Sequence, residues 1–163
     1  MTSTILFNFD TTANISSWTI TNDVVMGGKT ASTFTLNTDG HGMFSGHVSL
    51  ENNGGFASVR YQFPKIAVTP KTKIKIRLKG DGKDYKFRVK HTQENYYSYN
   101  MQFTTSGVWQ EVIIPLKDLY PVFRGKKLNE PNFDHNEIAQ IVFLIGNKKN
   151  EDFALLIDYI EVV

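Results

Sequence analysis

The chain has 163 residues, 40% of them hydrophobic, with 18 Lys and Arg against 16 Asp and Glu and no cysteine. That is the size of one domain, apolar enough to bury a core and too weakly charged for disorder, so residues 1–163 are read as a single domain. The composition excludes disulfides, thiolate metal sites and a cysteine nucleophile. No basic segment followed by an apolar run opens the chain, and no stretch approaches the ~20 apolar residues of a membrane span, so the protein is read as cytoplasmic.

Period-two alternation recurs along the chain, and no window carries a helical stripe. In order, strands are expected at Ile5–Phe9, Trp18–Asn22, Ala31–Leu36, Met43–Leu50 and Phe56–Phe63. The segment Thr21-Asn22-Asp23-Val24-Val25-Met26-Gly27-Gly28 sets polar residues before an apolar run and a glycine pair. Gly40-His41-Gly42-Met43-Phe44-Ser45-Gly46 superficially resembles a nucleotide loop, but its last spacing is wrong and it opens no helix. Ser45 lacks the glycine two positions earlier that a nucleophile elbow needs. Glu51-Asn52-Asn53-Gly54-Gly55-Phe56 is a polar turn, leading to Ser58, Arg60 and Gln62 on one face of the next strand.

Residues 61–90 hold 10 cations against 2 acids. Within them, Lys73, Lys75, Arg77 and Lys79 alternate with Ile74, Ile76 and Leu78, while Lys86, Arg88 and Lys90 alternate with Tyr85, Phe87 and Val89. Gly80-Asp81-Gly82-Lys83 between them suits a tight hairpin. The expectation is that the two strands pair and bring all seven cations onto one outer surface. That surface is answered either by solvent and a neighbouring acid such as Glu111, or by an acidic partner or an anionic membrane. Nucleic acid is not expected, because no aromatics interleave those cations for base stacking.

Further strands are expected at Tyr97–Thr104, Trp109–Pro115, Ile138–Gly146 and Phe153–Val163. In the first of these, Tyr97 and Tyr99 face inward with Met101 and Phe103. Tyr96 faces out with Ser98, Asn100 and Gln102, a polar face on which a sugar ring can stack. Leu119 to Asn136 is the longest irregular stretch and holds Arg124 between Phe123 and Gly125. The apolar runs Ile141–Ile145 and Leu155–Ile157 read as central strands covered on both sides. About eleven short strands at this spacing indicate an all-β sandwich or barrel.

Chemistry is sparse. His41, His47, His91 and His135 lie far apart in sequence without metal-ligand spacing. Asp10 and Asp158, near opposite chain ends, are candidates for a structural calcium, a salt bridge or a turn cap. No catalytic set is found, so the chain is read as not an enzyme, without cofactor or metal. Asn22, Asp23, Glu51, Asn52, Arg60 and Arg124 are expected to gather at one region, as a ligand or partner site or as a network pinning the loops.

Several of these segments together resemble the complex I intermediate-associated protein 30 family. They are Trp18 with Asn22 to Gly28, Phe44-Ser45-Gly46, Val48 to Arg60, Gly80-Asp81-Gly82 with Tyr85, Trp109 before Pro115, Phe123-Arg124-Gly125, and Phe153 with Asp158. The resemblance implies a galactose-binding-like jelly-roll β-sandwich. It also implies a non-catalytic binding module similar to assembly factors (chaperones) of respiratory complex I, with protein partners such as respiratory-complex subunits. The chain looks like the bare domain of bacterial-type members. The alternative function is a carbohydrate- or small-ligand-binding module.

Overall fold

Alternating apolar and polar residues settle on two antiparallel sheets whose apolar faces meet. The computed structural model describes residues 3–22, 30–51 and 55–163. Its strands are β1 (Thr4–Asn8), β2 (Trp18–Asn22), β3 (Ala31–Leu36), β4 (Gly42–Val48), β5 (Ala57–Ala67), β6 (Lys73–Lys79) and β7 (Asp84–Lys90). They continue as β8 (Ser98–Thr104), β9 (Trp109–Pro115), β10 (Tyr120–Phe123), β11 (Lys126–Lys127), β12 (Glu137–Ile145) and β13 (Glu151–Val162). A single turn of 3₁₀ helix, Leu116–Asp118, follows β9.

One sheet runs β3-β4-β13-β6-β9, with β1 also paired to β13; the other runs β11-β10-β8-β7-β12-β5-β2. We call them the first and second sheet. All eleven expected strands are present. The stretch read as irregular, Leu119 to Asn136, contains two more, β10 and β11. It is tied down by buried Leu119 and Phe133, the Phe133 amide donating to the Leu119 carbonyl at 3.0 Å.

The core lies between the sheets. Ile74, Ile76 and Leu78 of β6 and Leu155, Ile157 and Ile160 of β13 meet Tyr85, Phe87 and Val89 of β7 and Ile141 and Phe143 of β12. Trp18 bridges the layers, stacked on Tyr61 of β5 and on Phe34 of β3, each with ring centroids 4.9 Å apart. Tyr99 points inward as expected, and its neighbour Tyr96 is 63% exposed.

Two expectations fail. The Leu155–Ile157 run is central in its sheet, but its outward residue Leu156 is only half-buried, and Asp152 and Ala154 beside it on that face are exposed, so among the described residues no second layer covers the face. More consequentially, β6 and β7 do not pair. β6 pairs with β13 and β9, and β7 with β8 and β12, in opposite sheets. Gly80–Lys83 is a crossover, and Asp81 joins its two sides. Its carboxylate accepts from the Tyr85 hydroxyl of the second sheet at 3.0 Å and from the Ala154 amide of the first at 2.9 Å. Burial, and then Asp81, push the Tyr85 phenol well above its usual range.

The glycine-rich segment around β4 serves packing. A Cβ on Gly46 would collide with the Ala31 carbonyl across the β3–β4 pair, and one on Gly42 would enter the Phe9 and Phe34 rings.

Candidate functional site

Because β6 and β7 lie in opposite sheets, their inward-facing apolar residues send the seven cations to opposite outer surfaces. On the first sheet two of the four cations, Lys75 and Arg77, are answered locally, while Lys73 and Lys79 have no carboxylate within 4 Å among the described residues. Lys75 Nζ lies 3.1 Å from Glu111 and 3.9 Å from Glu161, on the strands to either side. Arg77 donates to Asp158 at 2.9 Å and stacks over Trp109, 4.5 Å from its centroid. The Tyr159 hydroxyl donates to Glu111 at 2.9 Å; with Lys75, it holds the Glu111 carboxyl below its usual range. Asp158 is therefore a salt-bridge partner. Asp10 caps a turn, accepting from the Thr12 amide at 2.8 Å.

The outer face of the second sheet is arranged differently. Strand register sets Arg60, Val142, Arg88, Asn100 and Tyr120 in one row across β5, β12, β7, β8 and β10. The Arg88 Nε donates to Asn100 Oδ1 at 3.0 Å, and Asn100, almost fully buried, donates to the Tyr120 hydroxyl at 2.9 Å. Gln62 donates to Gln140 in the neighbouring row at 2.9 Å. Among the described residues, no carboxylate lies within 4 Å of Arg60, Lys86, Arg88, Lys90, Arg124 or Lys148. Consistent with that, burial lowers the Lys86 ammonium pKa, helped by Arg88 and Lys148. Burial also lowers that of Lys90, helped by Arg60.

Into this face opens a groove of ≈ 810 Å³. Leu50, Phe56 and Leu144 supply its apolar surface, and Lys86, Arg88, Arg124 and Lys148 its charge. Beside it Tyr96 and Phe123 form an exposed aromatic pair with centroids 5.2 Å apart, and the Arg124 guanidinium lies 5.2 Å from the Phe123 centroid. Such an assembly can attract anions and seat an apolar or planar group. No covalent chemistry follows from it.

Of the six candidates, Asp23 and Asn52 lie outside the described residues, as does the side chain of Asn22, whose backbone ends β2 opposite Ala57. Arg60 is exposed on the second sheet's face and Arg124 lines the groove there. Glu51 lines a separate, smaller recess of ≈ 360 Å³ with His47, Ser49 and Asn150. For Arg60 the reading as a member of an arginine–carboxylate network is not supported among the described residues. Lys148 was missed altogether. It sits in the β12–β13 turn, where nothing in the sequence separates it from Lys149. Arg88 was seen only as one cation of an outer strand face.

The histidines are not all apart. His91 and His135 stack with centroids 3.7 Å apart, and His135 Nε2 meets the Tyr99 hydroxyl at 2.8 Å. His47 pairs with Asp152 at 2.7 Å. Among the described residues no three His, Asp or Glu side chains are grouped as metal ligands, and no helix is long and apolar enough to cross a membrane.

Comparison with known proteins bears on this geometry. The family model described as complex I intermediate-associated protein 30 matches residues 7–157. The mitochondrial complex I intermediate-associated protein 30 of Drosophila melanogaster is 24% identical over 96% of this chain. The match spans 61% of that protein's length. Among solved structures, the family 11 carbohydrate-binding module of Clostridium thermocellum, in complex with a β-1,3-1,4-mixed-linked tetrasaccharide, superposes with a TM-score of 0.73. It does so at 17% identity, over 99% of this chain and 95% of that one. A family 29 carbohydrate-binding module gives 0.59 at 12% identity, over 99% and 88%. These likenesses agree with the jelly-roll-like β-sandwich described above.

Proposed function

The chain belongs to the complex I intermediate-associated protein 30 family, and we propose that it is a cytoplasmic, non-catalytic binding module that holds a protein partner on the outer face of its second sheet. One observation carries the reading. The two outer faces treat their cations differently: the first sheet supplies Glu111, Glu161 and Asp158 to Lys75 and Arg77, and the second supplies no carboxylate to Arg60, Arg88 or Arg124 among the described residues. Lys86, Arg88 and Lys90 are half-buried, and cations held so without a carboxylate among the described residues are costly to the free protein and favour a partner that answers them. The family's name supports a finer form, in which the partner belongs to an assembly intermediate of respiratory complex I.

A photo-crosslinking amino acid placed in turn at Tyr96, beside the groove, and at Ile113, 54% exposed on the first sheet, tests the reading in cells. Protein adducts from position 96 and not from 113 are expected. Adducts from 113 alone, or from neither, defeat it.

The exposed Tyr96–Phe123 pair supports a second reading, a carbohydrate-binding module, because aromatic faces stack on sugar rings. Calorimetric titration with a β-1,3-1,4-linked tetrasaccharide separates the two. Binding that Tyr96→Ala abolishes favours the sugar, and no heat at millimolar sugar removes that ligand.

A further inference from the structure

We propose that the groove on the second sheet takes an acidic segment of the partner protein, its carboxylates on the rim and an apolar side chain on the Leu50, Phe56 and Leu144 surface. The inference rests on the protein-binding reading of that face and names the chemistry of what binds there.

Backbone geometry is the first support. Among the described residues, two non-glycine residues have left-handed backbone, Arg124 at φ 51° and Lys148 at φ 60°. Both are cations and both line this groove. Left-handed backbone is unfavourable for a long side chain and far better tolerated by Asn or Gly. Arg124 and Gly125 (φ 78°) form the two-residue turn between β10 and β11, where the first position ordinarily prefers Asn, Asp or Gly. Non-glycine residues held in such conformations cluster at binding sites. Two cations at unfavourable turn positions, supplied by different loops to one groove, mark a site that exists for its charge.

The electrostatics give the second support. Lys86 and Arg88 come from β7, Arg124 from the β10–β11 turn and Lys148 from the β12–β13 turn, and none has a carboxylate within 4 Å among the described residues. Asn100, itself fixed by Tyr120, holds the Arg88 guanidinium in place before any ligand arrives. Charge from three separate elements around an apolar surface matches several carboxylates spaced along a chain better than one compact anion. A neutral sugar would leave those charges unanswered.

The test uses fluorescence anisotropy with a fluorescein-labelled ten-residue peptide of Glu and Asp interrupted by Leu and Phe. Two controls accompany it, one with Lys for every acid and one with Ser for the apolar residues. The parent peptide is expected to bind at low salt, to weaken as salt rises, and to bind at least about tenfold more tightly than either control. The double variant Arg124→Asn/Lys148→Asn removes both charges while suiting the turns. Its affinity should fall about three- to twentyfold, as expected for two partly exposed ion pairs, with the melting temperature unchanged or raised. Equal binding by wild type and double variant overturns the proposal, as do failure of the parent peptide to bind and a control that binds as well as the parent. Adducts from position 96 alongside any of these results leave the protein-binding face standing and remove only the acidic ligand. No adducts remove the face itself.

Discussion

Arg77 and Arg60 offer the most direct test of the two-faced charge arrangement. Both are arginines on outer strand faces; the sequence places Arg77 in the basic hairpin and Arg60 in the candidate site or loop-pinning network. Arg77 donates to Asp158 at 2.9 Å, the two side chains being 36% and 26% exposed, and lies 4.5 Å from the Trp109 centroid. A partly exposed ion pair contributes about 0.5–1 kcal/mol and a cation–π contact about as much, so Arg77→Ala should cost roughly 1–2 kcal/mol. For a chain of this length that lowers the melting temperature by about 2–8 °C. Arg60 has Lys90 as its electrostatic neighbour and no carboxylate within reach among the described residues. Arg60→Ala should stay within about 0.5 kcal/mol of wild type and relieve some repulsion. Differential scanning fluorimetry ranks the variants, and a double-mutant cycle of Arg77→Ala with Asp158→Asn isolates the ion pair. Equal shifts for Arg60→Ala and Arg77→Ala, or no coupling in the cycle, would refute the reasoning.

Gly46→Ala should cost more than about 3 kcal/mol or prevent folding, because the added methyl meets the Ala31 backbone, which cannot swing aside; soluble expression and urea unfolding report it. Asp81→Ala should cost about 2–4 kcal/mol by leaving the Tyr85 hydroxyl and Ala154 amide without their acceptor, and a loss under 1 kcal/mol in urea titration would contradict the crossover clamp. His91 gives a pH dependence. Burial, then His135, lowers its imidazolium pKa, Lys65 adding to the effect while Glu137 and Asp134 oppose it. The unfolded chain therefore binds the proton more readily, so stability present above about pH 6.5 is lost as pH falls below it. His91→Gln should flatten the urea-derived stability between pH 7.5 and 5.5 relative to wild type, and parallel curves for the two proteins would exclude the effect.

Alternation is a local property, and it carried far. Which residues of Lys73–Lys79 and Asp84–Lys90 face the core follows from period two alone, and the structure buries Ile74, Ile76, Leu78, Tyr85, Phe87 and Val89 as that period requires. The all-β class and eleven of the thirteen strands follow from the same pattern, and Arg124 stands out in the sequence between Phe123 and Gly125. Strand partners were not legible, because a turn such as Gly80–Lys83 is compatible with a hairpin or a crossover. The choice is made by strands far along the chain: β13 and β9 claim β6, while β12 and β8 claim β7. Only that distant choice separates cations that neighbouring carboxylates answer from those that line a groove. It also brings Lys148 and Arg88 to one groove and stacks His91 on His135, placements that no local spacing relates.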